Sequence, residues 1–100
     1  MAEVVTHVTG IVSRDGARRV TEAYRAALAG GAGPAIEETF LLEADGGRVT
    51  ILTVWRRRTD LDAMLASGEE PLARRLIREA GGTPEPTIYS IVERVTGTEP

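Results

Sequence analysis

Cysteine is absent from this 100-residue chain, histidine occurs once (His7), and Phe, Trp and Tyr together supply four residues. Without cysteine there is no disulfide, no thiol nucleophile and no thiolate metal site. One histidine leaves zinc or haem ligation very few possible donors. No stretch approaches the roughly 18 apolar residues of a membrane-spanning helix. The start, Met1-Ala2-Glu3-Val4-Val5-Thr6-His7, sets no basic segment ahead of an apolar run and does not read as a signal peptide. A net charge of −3 gives no electrostatic reason to expect nucleic acid or an anionic membrane as partner. The expectation is a soluble, cytoplasmic protein with one domain over residues 1–95 and a flexible tail at 96–100.

What is present is a globular balance, 42% hydrophobic and 27% charged, in a length that makes a single core. Residues 3–13 alternate and are rich in β-branched side chains, which predicts a strand broken by Arg14-Asp15-Gly16. From Ala17 the period turns helical, with Ala17, Val20, Tyr24, Ala27 and Leu28 on one stripe, until Gly30-Gly31-Ala32-Gly33-Pro34 ends it. A second strand runs from Ala35 to about Ala44, and Asp45-Gly46-Gly47 is a hairpin turn. Arg48 to Trp55 is the third strand. Thr59 or Asp60 then caps a short helix through Leu61, Ala63, Met64 and Leu65. Pro71 suits the first position of a further helix carrying Leu72, Leu76 and Ile77. Thr87 to Val95 reads as the last strand.

The order βαββαβ predicts an α+β, ferredoxin-like antiparallel sheet with helices on one face. In the third strand one face carries Val49, Ile51, Thr53 and Trp55, the other Thr50, Leu52 and Val54, and neither has a charge. Helices cover one face only, so the other is left as an apolar patch whose simplest cover is the same face of a second copy.

With these elements in place the chain resembles the antibiotic biosynthesis monooxygenase family of dimeric α/β barrels. Ile51-Leu52-Thr53-Val54-Trp55, the short helix with Leu61 and Ala63, and the helix from Pro71 carry the resemblance. Arg14-Asp15-Gly16 stands where the family commonly has a Lys-Pro-Gly turn. The family includes oxygenases that oxidise aromatic polyketide intermediates without metal or flavin, quinol oxygenases and haem-degrading enzymes. The resemblance implies a homodimer and a cofactor-independent monooxygenase that takes an aromatic small molecule and O₂. It places Trp55 and Arg75 at the family's cavity tryptophan and arginine, while the family's asparagine and tyrosine are Ile51 and Leu61 here. In the haem-degrading branch the iron ligand falls at Arg74 and a haem-contacting tryptophan at Met64, so haem is not expected.

As chemistry, Trp55 offers a flat wall and an indole N–H, Arg75 a fixed cation for a phenolate or superoxide, and His7 the one imidazole suited to act as a base. Tyr89 offers a hydroxyl from the last strand. Each has a plainer reading: Trp55 and Tyr89 as core or interface anchors, Arg75 on a solvated face, His7 as a barrel histidine sharing a face with Val5, Thr9 and Ile11. Arg56-Arg57-Arg58 reads as a solvated strand end. The carboxylates are spread singly, and neither Ser13 nor Ser90 has triad partners. A cyclase or isomerase in the same cavity, and a non-catalytic small-molecule-binding dimer, are the alternative functions.

Overall fold

The computed structural model describes residues 2–98. Its elements are β1 (Val4–Ile11), α1 (Arg14–Ala27), β2 (Ile36–Ala44), β3 (Arg48–Trp55), α2 (Arg58–Ala66), α3 (Leu72–Glu79) and β4 (Glu85–Ser90). The strands form one antiparallel sheet in the order β2-β3-β1-β4. This is the expected α+β, ferredoxin-like arrangement, with the second helical stretch split in two.

Three helix starts differ from expectation, each for a physical reason. Arg14-Asp15-Gly16 breaks β1 as expected, but it is also the first turn of α1. Ser13 caps that turn, its side chain accepting the Gly16 N–H at 3.0 Å, and Asp15 complements the helix dipole. Helix α2 begins at Arg58, ahead of Thr59 and Asp60. The cap comes from outside the helix, as Glu3 Oε1 accepts the Arg58 N–H at 2.7 Å. Pro71 is the residue before α3, not its first: its backbone is extended and its carbonyl accepts the Arg75 N–H.

The last strand is also displaced, running Glu85–Ser90 instead of Thr87 to Val95. Beyond the bond from Ile91 N–H to the Glu3 carbonyl, residues 91–98 have no ladder partner among the described residues, although Val92 and Val95 have the side chains of a strand. The tail expected at 96–100 lies partly outside the described residues, at 99 and 100.

Register decides what faces what. Val4 pairs with Trp55, Thr6 with Thr53 and Val8 with Ile51, so the even residues of β1 share the face of Trp55. That face is covered by the helices. Val8, Val12, Val20, Val49, Ile51, Leu76, Ile77 and Ala80 form the main core, and Val4, Trp55 and Leu61 a second, smaller one. Gly10 lets α3 sit close on β1, since a Cβ there would lie 2.6 Å from Ile77.

The opposite face is bare. Ile11, Phe40, Leu42 and Tyr89 are between 39% and 58% exposed. All four fall on that face by register, with Val5, His7, Leu52 and Val54 between them.

Candidate functional site

Between the helices and the covered face lies a cleft of about 370 Å³, within the range of small-molecule sites. It sits where the two apolar cores part. Its floor is the sheet at Thr6, Thr39, Ile51, Thr53 and Trp55, and Tyr24, Leu28, Leu61 and Met64 form the near walls. The 67–71 link and the first turn of α3, with Arg74 and Arg75, form the mouth.

The polar groups of the floor are connected. Trp55 Nε1 donates to Thr6 Oγ1 at 3.0 Å, Tyr24 Oη donates to Thr39 Oγ1 at 3.0 Å, and Thr39 and Thr53 hydroxyls lie 3.3 Å apart. Trp55 is only 8% exposed, its ring packed with Val4 and Leu61. Ile51 and Leu61, at the positions matching the family's asparagine and tyrosine, are buried and apolar. The chain contains no asparagine, glutamine or lysine at all, so the uncharged polar side chains of the cleft are hydroxyls and one indole.

At the mouth Arg75 is exposed and Arg74 half-buried, and among the described residues neither is within ion-pair distance of a carboxylate. Glu70 is engaged elsewhere: Arg78 grips both of its oxygens, with the shortest contact at 2.7 Å. That hydrogen-bonded guanidinium, helped by the charges of Arg75 and Arg74, holds the Glu70 carboxyl below the usual carboxylate range. The grip fixes the link to α3, and with Glu70 paired to Arg78, Arg74 and Arg75 face only Glu69 at the mouth, which favours an anionic or electron-rich ligand.

Of the residues singled out in the sequence, Trp55, Arg75, Ile51 and Leu61 thus meet at one cleft, and His7 and Tyr89 do not. The reason is pairing parity: His7 pairs with Leu52 and Thr87, and Tyr89 with Val5, all on the bare face. There the two rings meet edge to face, centroids 6.2 Å apart, and His7 Nδ1 is buried with no hydrogen-bond partner. A base acting on a molecule in the cleft is therefore not His7. Tyr24, Thr6, Thr39 and Thr53 were not among the expected site residues. Thr53, two residues before Trp55 on the same strand face, was the available signal, whereas Thr6 and Thr39 needed the register.

No family model matches the sequence, and no curated protein does. Solved structures match its fold over nearly the whole chain. A candidate antibiotic biosynthesis monooxygenase from Deinococcus radiodurans superposes with a TM-score of 0.73 at 17% identity, covering 96% of this chain and 99% of that one. A variant of SnoaB, a cofactor-independent oxygenase from Streptomyces nogalater, gives 0.68 at 15% identity, covering 95% and 98%. Rv0793 from Mycobacterium tuberculosis gives 0.69 at 16%, covering 94% and 99%. The chain therefore has the fold of the antibiotic biosynthesis monooxygenases, and at these identities the likeness speaks for fold alone.

Proposed function

We propose that the cleft binds a planar, oxygenated aromatic molecule of the phenol, quinol or anthrone kind, and that the protein oxidises it with O₂ without a cofactor. The observation that carries this reading is the cleft: a largely apolar space with an indole wall, a hydroxyl floor and, at its mouth, cations without an ion-pair partner among the described residues. A substrate of this kind becomes electron-rich on losing its phenolic or enolic proton. The anion passes one electron to O₂, and the resulting radical and superoxide combine to form a C–O bond. The peroxide then loses water: the O–O bond breaks, the carbon gives up its proton and a C=O remains. One oxygen atom enters the product and one leaves as water.

The protein holds the ring against Trp55, excludes water and stabilises the anion. Arg75 and Arg74 lower the cost of ionising the substrate from the mouth. No histidine lines the cleft, and its carboxylates, Glu69 and Glu70, stand at the mouth. A substrate acidic enough to ionise in this field is thus better suited than one needing a strong base, which weighs against the cyclase or isomerase reading. The haem position does not fit either, because Arg74 stands where the iron ligand would be.

A second copy completes the molecule in this reading. The accessible surface of 6761 Å² is roughly a fifth larger than that of an ordinary monomer of this mass. A two-fold axis through the bare sheet face would bring Val5, His7, Leu52 and Val54 of both copies together, with Glu38 and Arg48, on the same face by register, around them. Each protomer keeps its own cleft, since the helices lie on the other side.

Oxygen uptake by metal-stripped protein against quinols, naphthols and anthrones tests the activity, with Arg75→Ala as control. Saturable uptake that falls in the variant supports it. Binding without uptake above the spontaneous rate gives the second reading, a non-catalytic binding dimer, which the apolar Ile51 and Leu61 favour.

A further inference from the structure

The covered face is apolar along Val4–Trp55–Ile36 and again along Val8–Ile51–Leu41. The row between them is Thr6–Thr53–Thr39, three threonines paired strand to strand, and the cleft opens directly above it. Valine has nearly the same shape, so the hydroxyls are not there to fill space. Thr53 is buried and Thr6 and Thr39 half-buried, and taking a hydroxyl out of water costs free energy unless its proton is used.

Proton counting shows that they are not all used within the protein. Tyr24, Thr39 and Thr53 have three hydroxyl protons and two links, so one proton is left over at the floor. Thr6 accepts from Trp55 Nε1, and its own proton has no acceptor among the described residues. The bare face behaves differently. There Thr50 donates to Thr9 and Thr9 donates to the Val49 carbonyl, so that chain ends on backbone with nothing to spare.

From this we infer that Thr6 and Thr53 are a paired hydroxyl site for a carbonyl or phenolate oxygen of an aromatic ring lying along Trp55. The inference deepens the proposed reading of the cleft and rests on it. The two residues occupy directly opposed positions on adjacent strands, where side chains stand close enough to reach one oxygen, or two oxygens of one ring. Trp55 and the Tyr24–Thr39 pair occupy lone pairs of the row, which leaves its free protons to the ligand. Hydrogen bonds of this kind strengthen as negative charge develops on the acceptor, so the site favours the ionised form of the ligand. The chain has no amide side chain that could serve this oxygen instead, and Arg75 acts from the mouth as a field, not a contact.

The test compares two probes, 2-hydroxy-1,4-naphthoquinone, which is an oxyanion at neutral pH, and naphthalene, which has the rings without oxygen. Quenching of Trp55, the only tryptophan, reports binding. The wild-type chain should prefer the quinone by about tenfold or more, the range of hydrogen bonds to a charged group. Thr6→Val and Thr53→Val should each remove most of that preference while naphthalene affinity stays the same, and Thr53→Ser should restore it. If either valine variant fails to fold, Tyr24→Phe takes its place, with an expected two- to threefold loss of preference. A preference untouched by these changes overturns the threonine site and leaves the cleft reading standing. Failure of both probes to quench the wild type overturns both.

Discussion

The two faces of the sheet are made by the same strands and use their side chains oppositely. On the covered face Val4, Val8, Val49 and Ile51 are 4% exposed or less, yet threonine hydroxyls among them still have protons to give. On the bare face Ile11 is 58% and Tyr89 52% exposed, while Thr9 and Thr50 have settled their protons among themselves and on Val49. Hydroxyl protons are left free where the threonine row borders the cleft. On the bare face the threonine protons are closed off, and the buried polar atom without a partner among the described residues is His7 Nδ1. The first arrangement suits a small oxygenated ligand, and the second suits an apolar partner surface that must not hold unsatisfied hydroxyls when it is covered.

The largest effect is expected from charging the bare face. Leu42→Asp places a carboxylate there without disturbing the monomer, because Leu42 is 45% exposed. In a two-fold pair the charge is buried twice, and each uncompensated buried charge costs roughly 3–5 kcal/mol. Sedimentation velocity should show monomer in place of dimer, with far-UV circular dichroism unchanged. A dimer that survives the substitution assigns the contact to another surface. Next in size is Ile77→Ala, which empties the main core at a fully buried position and should cost about 2–5 kcal/mol in urea unfolding. Ile11→Ala, with the same chemistry on the bare face, should stay within about 0.5 kcal/mol in monomeric protein. Equal losses at the two sites would abolish the contrast between the faces.

Thr50→Val against Thr53→Val sharpens the comparison at a smaller scale. Thr50→Val removes one closed hydrogen bond, worth about 1 kcal/mol of stability, and should not alter ligand binding. Thr53→Val should do the reverse: modest in stability, large in the preference for an oxygenated ring. Thermal melts and Trp55 quenching on the same samples separate the two.

This contrast also shows where the sequence could be read and where it could not. Alternation in Arg48–Trp55 reveals two neutral faces, and the glycines and Pro34 bound the elements, so the βαββαβ order was legible. That Val49, Ile51 and Trp55 share a face followed from period two alone. Which residues of β1 join them did not, because a one-residue slip in pairing exchanges the faces. Val4 opposite Trp55 sends Thr6 to the cleft and His7 away from it, and nothing local to residues 4–11 sets that choice. The cap of α2 was missed for a related reason, since Glu3 reaches its start across 55 positions, whereas Ser13 caps α1 only three residues from Gly16. Val92 and Val95 have strand-forming side chains, but among the described residues no neighbouring strand stands beside them. A strand needs a neighbour as well as a composition.

The mouth of the cleft gives the smallest effect and a direct reading of its electrostatics. Arg78 holds the carboxyl of Glu70 with three contacts between 2.7 and 3.2 Å, and this is the main reason its pKa is lowered. Because the folded-state value lies below the unfolded one, the pair's contribution is fully present above the ordinary glutamate pKa. It is lost as pH falls through the lowered value. Both groups are exposed, so the gain in global stability is small and screened by salt. Side-chain carboxyl NMR should show Glu70 titrating below the ordinary glutamate value. In Arg78→Ala it should move back toward that value, though not the whole way, because Arg74 and Arg75 still act on it. A Glu70 midpoint unchanged by Arg78→Ala would mean that the link at 67–71 is not fixed to α3. The position of Arg75 at the mouth would then have to be explained by the helix alone.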